Sequence, residues 1–490
     1  MVTPVTGIGT HYMRYSVANL VVLLGGLVSF PVLTRLLDNA EYGIMGYFNT
    51  WMMIAIAVAK FGGQHAVLRF HPHDGDPRGM VHFSTNLVVL PMMLSVSVWG
   101  VVAASLLVWQ TFGNAEYSPV FWCVVLIVPA TVVASIVQMV IRAREQSGVV
   151  MATKVTARVM ELSLVLGLVI LLQQSALSVF GGKLAAALLM LAYFAYWASR
   201  NLEFSRDAID LPAMANALRY GMPLMANEFA YQLLATFDRV LLKELTGEYA
   251  IVGIYTIGYA LAMQVNLFMN ATLWEAFVPV ANRIHSIDGD AAVRALKDRV
   301  LLPMAYASLG VAVMIIAVGE DLLVALSGPG KSESGRVFVV VGTVMALYPL
   351  LDVAGYGLLL RKRSMAVFGL TMGAAALNVG ANLVLIPMYG YMGAAGATVL
   401  SYTALAIASC TCCPRGLRQF PDLRTLGTAG AFALLLLVVT TSTDLFGVDG
   451  AWARLMVGGV LFLVLFALPA LMLDPRLRAA LPGLRRPAAA

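Results

Sequence analysis

Charge is scarce in this chain. Only 12% of its 490 residues are Asp, Glu, Lys or Arg, 60% are hydrophobic, and the mean hydropathy is +0.83. Soluble domains carry about 25% charged residues, so a soluble globular fold is excluded. Cysteine is also sparse: four residues give no disulfide framework. Three of them, Cys410, Cys412 and Cys413, cluster at one helix end with no histidine beside them and read as small apolar packing. His65, His71, His73 and His82 share one stretch with Asp74 and Asp76, but their spacing matches no closed tetrahedral pattern, so no metal is expected. The chain has no P-loop, nucleophile elbow or HExxH motif, which argues against ATP hydrolysis and covalent catalysis; a non-enzyme without cofactor is expected. No compact apolar region with a small-residue cleavage site opens the chain, so no cleavable signal is expected. The net charge of +6 is dispersed over short connections and points to no nucleic-acid partner.

What is abundant is apolar runs of membrane-spanning length, roughly 20 residues each. Fourteen are predicted: about 13–36, 43–62, 82–109, 119–141, 151–172, 176–198, 218–243, 249–276, 299–319, 337–360, 364–387, 391–413, 425–442 and 452–473. The fold class is therefore an all-α polytopic membrane protein. Placing both termini in the cytoplasm puts 25 of the 32 Lys and Arg residues on the inner side, as the positive-inside rule requires.

The chain starts twice. Arg14-Tyr15 is echoed by Arg219-Tyr220, Arg35 by Arg239, and Glu41-Tyr42 by Glu248-Tyr249. Each pair brackets a long apolar helix and opens the next. The echo predicts two six-helix lobes, 1–210 and 211–420, with 421–490 adding two further spanning helices and a basic tail. Six spans is an even number, so both copies enter from one side as a parallel repeat, and a binding site is expected near the midplane between them.

Polar residues within the spans are the candidate functional groups, because a charge near the bilayer centre costs several kcal/mol and usually faces a bundle interior or a water-filled cavity. Glu228, Gln232 and Arg239 share one stripe of the seventh span, with Asn227, Tyr231 and Asp238 on the adjoining one. Tyr255, Tyr259, Asn266 and Asn270 share a face of the eighth. Arg14, Asn19 and Arg35 mark the first, Asp352 the tenth, and Asn378 and Asn382 the eleventh. Glu228 sits deepest, and no basic residue lies one turn away. Arg158 and Glu161, with Lys154 on the same face, read as a helix-stabilising cluster. Gly393–Ala397 form a small-residue face suited to close helix contact.

Residues 377–402 (LNVGANLVLIPMYGYMGAAGATVLSY) resemble the C-terminal signature of polysaccharide flippases. The run from Asp238 through Gly253 and Tyr255, the loop Leu33–Gly43, and the segments Val67–Phe70 and Ile141–Glu145 resemble further family motifs in the family's order. By this resemblance the chain is similar to Wzx-type members of the multidrug/oligosaccharidyl-lipid/polysaccharide exporter superfamily. That implies two lobes in a V around a central cavity, a bacterial inner-membrane location, and transport of undecaprenyl-pyrophosphate-linked oligosaccharide between leaflets. For such a substrate Arg14, Arg35, Arg219 and Arg239 are the expected diphosphate-binding cations. Tyr231, Tyr255, Tyr259, Trp274, Asn266 and Asn270 are the expected sugar contacts. Glu228 and Asp352 are the expected coupling sites for a proton or sodium ion. The partners expected are the lipid-linked oligosaccharide and the bilayer, with a polysaccharide polymerase and a chain-length regulator as further candidates. The fourteen spans exceed the family's commoner twelve.

Three other functions fit less well. A cation-coupled exporter of small molecules calls for an acid-dominated cavity. A peptidoglycan-precursor flippase shares the fourteen spans and a cationic cavity, but the signature at 377–402 is nearer the polysaccharide group. A membrane glycosyltransferase or ligase usually carries a large outside loop, and the longest here is roughly 320–336.

Overall fold

A computed structural model of the chain describes residues 6–72, 76–113, 116–441 and 450–483, without the side chains of 6–16, 271–276 and 480–483. Among these residues there is no strand. The helices are α1 (Thr6–Leu36), α2 (Asn39–Ala59), α3 (Gly63–Arg69), α4 (Pro77–Phe83), α5 (Leu90–Phe112), α6 (Pro119–Ala143), α7 (Ser147–Leu171), α8 (Ala176–Asn201), α9 (Leu211–Thr236), α10 (Asp238–Thr246), α11 (Tyr249–Ser327), α12 (Ser332–Gly355), α13 (Ser364–Tyr389), α14 (Tyr391–Cys412), α15 (Leu423–Thr441), α16 (Ala451–Phe462), α17 (Leu468–Leu473) and α18 (Pro475–Gly483). Hydrocarbon offers no hydrogen-bond partners, so a spanning segment must satisfy its own backbone, and helices do so. Helix starts are set by local caps: Asp38 accepts from the Glu41 amide at 2.8 Å and Asp210 from the Ala213 amide at 3.0 Å.

Among the described residues, twelve segments are long and apolar enough to cross a membrane. The two expected spans outside this set are α7 and α9. Their 25 and 26 residues give about 37 and 39 Å of helix, enough to cross a core of roughly 30 Å. Polarity, not length, sets them apart: three charges in α7, and two charges with several Asn, Gln, Tyr and Pro residues in α9.

The connection between the eighth and ninth spans departs from the loop expected there. It is helical on both sides of Gly289, so α11 covers 79 residues with non-helical backbone at Gly289, where φ is +76°, and at Val318. Residues 290–299 are rich in Ala, Leu, Arg and Lys and favour helix on propensity alone. Glycine supplies the one conformation that turns the chain.

Contacts divide the chain into two compact units, Met1–Ser29 with Leu36–Val240, and Phe30–Arg35 with Leu241–Ala490. In the first, Val128, Val132, Ile136 and Val140 recur at helical spacing on α6 and are fully buried among α2, α3 and α8. Lipid is as apolar as leucine, so what holds such helices together is close fit rather than water exclusion. The small-residue face supplies that fit in the second unit. Ala394, Ala395 and Ala397 are fully buried, and a side chain at Gly393 would strike the Leu385 carbonyl.

The last two spans pack on the second unit against α11, through Tyr306, Val313, Leu436, Phe466 and Ala470. A polar clasp closes this joint. The Tyr306 hydroxyl donates to Asp474 Oδ2 at 2.9 Å, and Arg476 Nη1 donates to Asp422 Oδ2 at 2.7 Å. Arg476 first, with the Arg424 amide, holds the Asp422 carboxyl below its ordinary range. Burial pushes Asp474 up, but Tyr306 and Arg476 outweigh it and hold its carboxyl low as well. A carboxyl lowered by folding adds stability above its unfolded value of about 3.9 and loses it as pH falls through the folded value. Hydrogen exchange in 423–441 and 451–473 should therefore rise below about pH 4. Arg476→Ala should raise it already at pH 7. Equal protection in wild type and variant at pH 7 would remove the clasp from the account.

Candidate functional site

The first unit concentrates charge on three helices. Its best-defined group forms where α9 crosses the turn between α2 and α3. Phe61 and Gly62 both take positive φ there, +47° and +72°, which reverses the chain after Lys60. The crossing is so close that a Cβ on either Gly62 or Gly221 would overlap the backbone of the other. Two turns further along α9, Glu228 meets the end of α2. Lys60 Nζ donates to Glu228 Oε1 at 2.8 Å, and Gln64 Nε2 donates to Oε2 at 2.8 Å. His65 Nε2 lies 3.9 Å from the same carboxylate. Burial, opposed by Glu228, keeps the His65 imidazole below its ordinary value, so it is neutral at pH 7. The side chains of Lys60 and Glu228 are 13% and 27% exposed, which leaves the pair accessible from one side.

Around this pair the unit is pinned by polar contacts to the chain leading into α9. Asn86 donates to the Ala208 carbonyl at 2.7 Å and accepts from the Asp210 amide at 2.7 Å. The Arg69 guanidinium lies 4.8 Å from the centre of the Tyr220 ring.

A second cationic row lies on α7 and α8. Lys154 Nζ donates to Asn19 Oδ1 of α1 at 2.8 Å. Lys183 Nζ donates to Asn49 Oδ1 of α2 at 3.1 Å and stands 5.1 Å from the Phe180 ring centre. Arg158 lies 3.5 Å from Glu161, one turn away. All four charged groups are half-buried, and three are positive. This face gathers partly desolvated cations, amide oxygens that orient them, and one acid.

The expected site residues fall in different settings. Asp238 is fully buried and Arg239 nearly so; they pair at 3.1 Å, and Arg239 also donates to the Ala235 carbonyl at 3.0 Å. Arg35 donates through Nε and Nη2 to the carbonyls of Leu326 and Ala325, both at 2.7 Å, capping the end of α11. Arg219 and Tyr231 are exposed on α9. Tyr255 and Tyr259 pack together in the helical core of the second unit, with the Tyr255 hydroxyl 3.0 Å from Thr398 Oγ1. Asn270 donates to Asn266 at 2.9 Å, and both are half-buried. Asp352 is half-buried on α12. The side chains of Arg14 and Trp274 lie outside the described residues. The structure thus brings Glu228 to Lys60, Gln64 and His65, none of which was singled out as its partner from the sequence. Lys60 sits at the basic end of a span, where it reads as a topology signal. The pairing joins residues 168 positions apart, beyond the reach of helical periodicity.

Residues 11–285, 275 of the 490 positions, match the family model described as polysaccharide biosynthesis protein. A probable flippase AglR of Haloferax volcanii is 28% identical over 200 residues, 39% of this chain and 41% of the relative. The chain thus spans about two fifths of the length of that curated relative. Among solved structures, the lipid II flippase MurJ in its inward closed conformation superposes with a TM-score of 0.73 at 10% identity, covering 97% of this chain and 100% of that one. An inward-facing multidrug resistance MATE transporter of the MOP superfamily gives 0.56 at 14% identity, over 85% of this chain and 98% of that one. At such identities the likeness is one of fold.

The crossing geometry yields a direct test. Gly221→Leu must push α9 away from the α2–α3 turn and so separate Glu228 from Lys60. The thermal midpoint of the purified protein should fall, at an overpacking cost of about 1–3 kcal/mol, and transport should be lost. A variant with unchanged midpoint and unchanged transport would show that the close crossing does not position the pair.

Proposed function

Because the chain belongs to the polysaccharide biosynthesis protein family, we propose that it moves undecaprenyl-pyrophosphate-linked oligosaccharide across the bacterial inner membrane for surface or exopolysaccharide synthesis. It is a multi-pass membrane protein with the fold of flippases and exporters. The observation that carries the finer reading is the placement of charge. Two helices of spanning length, α7 and α9, hold Lys154, Arg158, Glu161 and Glu228, partly exposed and gathered in one unit. A diphosphate cannot enter hydrocarbon without cations around it, and a cluster of cations in a membrane helix persists where it serves an ion or a substrate.

In this reading Lys154, Arg158 and Lys183, with the exposed Arg219 of α9, receive the diphosphate. Arg35 and Arg239, also expected to do so, are committed to carbonyls and to Asp238; their role here is to hold helix ends in place. Tyr231, exposed on α9, and the Asn266–Asn270 pair are the sugar contacts best placed to reach a substrate. Tyr255 and Tyr259 position their helix. Glu228 is the coupling group. Whenever Lys60 leaves the carboxylate, a proton or sodium ion must restore neutrality, which ties a charge movement to one step of alternating access. Asp352 is a second candidate for the same role. Both termini lie in the cytoplasm, and a polymerase and a chain-length regulator take the product onward. A lipid-linked peptidoglycan precursor, carried on the same kind of diphosphate, is the second reading, supported by the shared fold over almost the whole chain.

A deletion strain tests the assignment. Loss of surface polymer, with undecaprenyl-linked oligosaccharide accumulating on the cytoplasmic side and rescue by the wild-type gene, is expected. Normal polymer together with arrested cell-wall synthesis would transfer the assignment to the peptidoglycan precursor. For the coupling group, Glu228→Gln should lower export about tenfold, or ~1.4 kcal/mol on the limiting step, and should flatten its dependence on pH or sodium. An unchanged dependence would exclude Glu228.

A further inference from the structure

Glu228 divides its two oxygens between two neighbours. Oε1 accepts from Lys60 and Oε2 from Gln64. A third neighbour stands by without a bond to it. His65 Nε2 lies 3.9 Å from Oε2, too far for a hydrogen bond, and 3.4 Å from Gln64 Nε2. An amide nitrogen only donates, so the imidazole turns a lone pair toward it and carries its own proton on Nδ1. One carboxylate thus has one cation bound and one neutral base held beside it.

Gln64 shows that this arrangement has a second setting. The residue is 5% exposed, its amide nitrogen serves Glu228 and His65, and its Oε1 is buried with no partner. Such an orphaned acceptor is rare in a folded protein and calls for an explanation. A proton on His65 Nε2 supplies one. The ring nitrogen becomes a donor and repels the Gln64 N–H. Turned over, the amide meets it with Oε1. Glu228 Oε2, released by the amide, is then the anion nearest the new imidazolium.

The charges acting on His65 come from two elements, Glu228 on α9 and Lys60 at the end of α2. Residues 84–89, also packed on α3, have no titratable side chain, and the Cys123 and Arg142 of α6 do not act on the ring. On its own helix Arg69 faces Tyr220. Burial lowers the proton affinity of the imidazole most, Glu228 raises it, and Lys60 lowers it. Without Lys60, Glu228 is opposed by burial alone, and the affinity rises. His65 is 33% exposed, so water reaches it to deliver the proton. We propose that His65 is the proton acceptor of the transport cycle, charging when Lys60 leaves Glu228 and replacing it as the counter-ion of that carboxylate. This rests on the flippase reading above; it names the coupling ion as a proton and places it on a residue beside Glu228, the charge for which both cations compete.

The test is a titration of the full-length protein in lipid nanodiscs, with the histidine ring nitrogens isotopically labelled and read by NMR. The His65 signal is the one lost in His65→Gln. In the wild type it should titrate below the ordinary value of about 6.5. Lys60→Gln should raise its midpoint by about one pH unit, and Glu228→Gln should lower it by about one; where one variant does not fold, the other carries the test. A midpoint that stays in place, or moves the opposite way, would overturn the proposal. In proteoliposomes given a fluorescent polyprenyl-diphosphate oligosaccharide, His65→Gln should slow translocation about tenfold and flatten its pH profile between about pH 5 and 8. A wild-type profile in that variant would overturn the role of His65 and leave the flippase reading intact. A wild-type protein that titrates as expected but moves no lipid-linked sugar would overturn the flippase reading, and the transport role of the proton with it.

Discussion

A charge in hydrocarbon must be partnered, hydrated or removed, and most of this molecule can be derived from how each charge meets that demand. Apolar helices supply the bulk of the fold and need no such arrangement. Several of the charges in the second unit bind backbone carbonyls or one another. Lys297, fully buried, donates to the carbonyls of Ala354 and Leu417 at 2.9 and 2.8 Å, and Arg361 meets Asp290 at 2.5 Å. Each satisfies the exposed carbonyls of a helix C-terminus or closes a turn, where a cation is favoured by the helix dipole. These groups fasten the ends of α11, α12 and α14.

In the first unit Lys60, Lys154, Arg158, Lys183 and Glu228 are half-buried and paired with side chains, while Arg144 and Arg239 bind the carbonyls of Asn201 and Ala235. A buried ion pair adds little net stability over a well-packed apolar pair. Their presence is therefore poorly accounted for by folding alone.

Much of this can be read from residues in order. Hydropathy gives the helices, and the glycine–alanine run at 393–397 its close packing. The polar stripe on α9 marks the helix that carries Glu228. Three things are hidden from such reading. The connection around Gly289 is helical because local propensity continues where hydrophobicity stops. Lys60 serves the topology pattern so well that its second use, as partner to Glu228, leaves no trace along the chain. The tyrosines of α11 show a polar face by periodicity, yet packing buries it, because Tyr255 finds Thr398 of another helix. In each case the deciding contact lies between helices, where spacing along one of them carries no information.

Stability and transport can be measured separately at Lys60 and Glu228. Replacing both members of a buried pair by neutral residues leaves no unpaired charge, so folding is expected to survive. The decisive measurement is translocation of a fluorescent polyprenyl-diphosphate oligosaccharide by the Lys60→Gln/Glu228→Gln double variant in proteoliposomes, alongside its thermal midpoint. A wild-type midpoint with translocation reduced at least about tenfold is the result predicted for charges kept for transport. A wild-type midpoint with wild-type translocation would contradict it and leave the pair as structure alone.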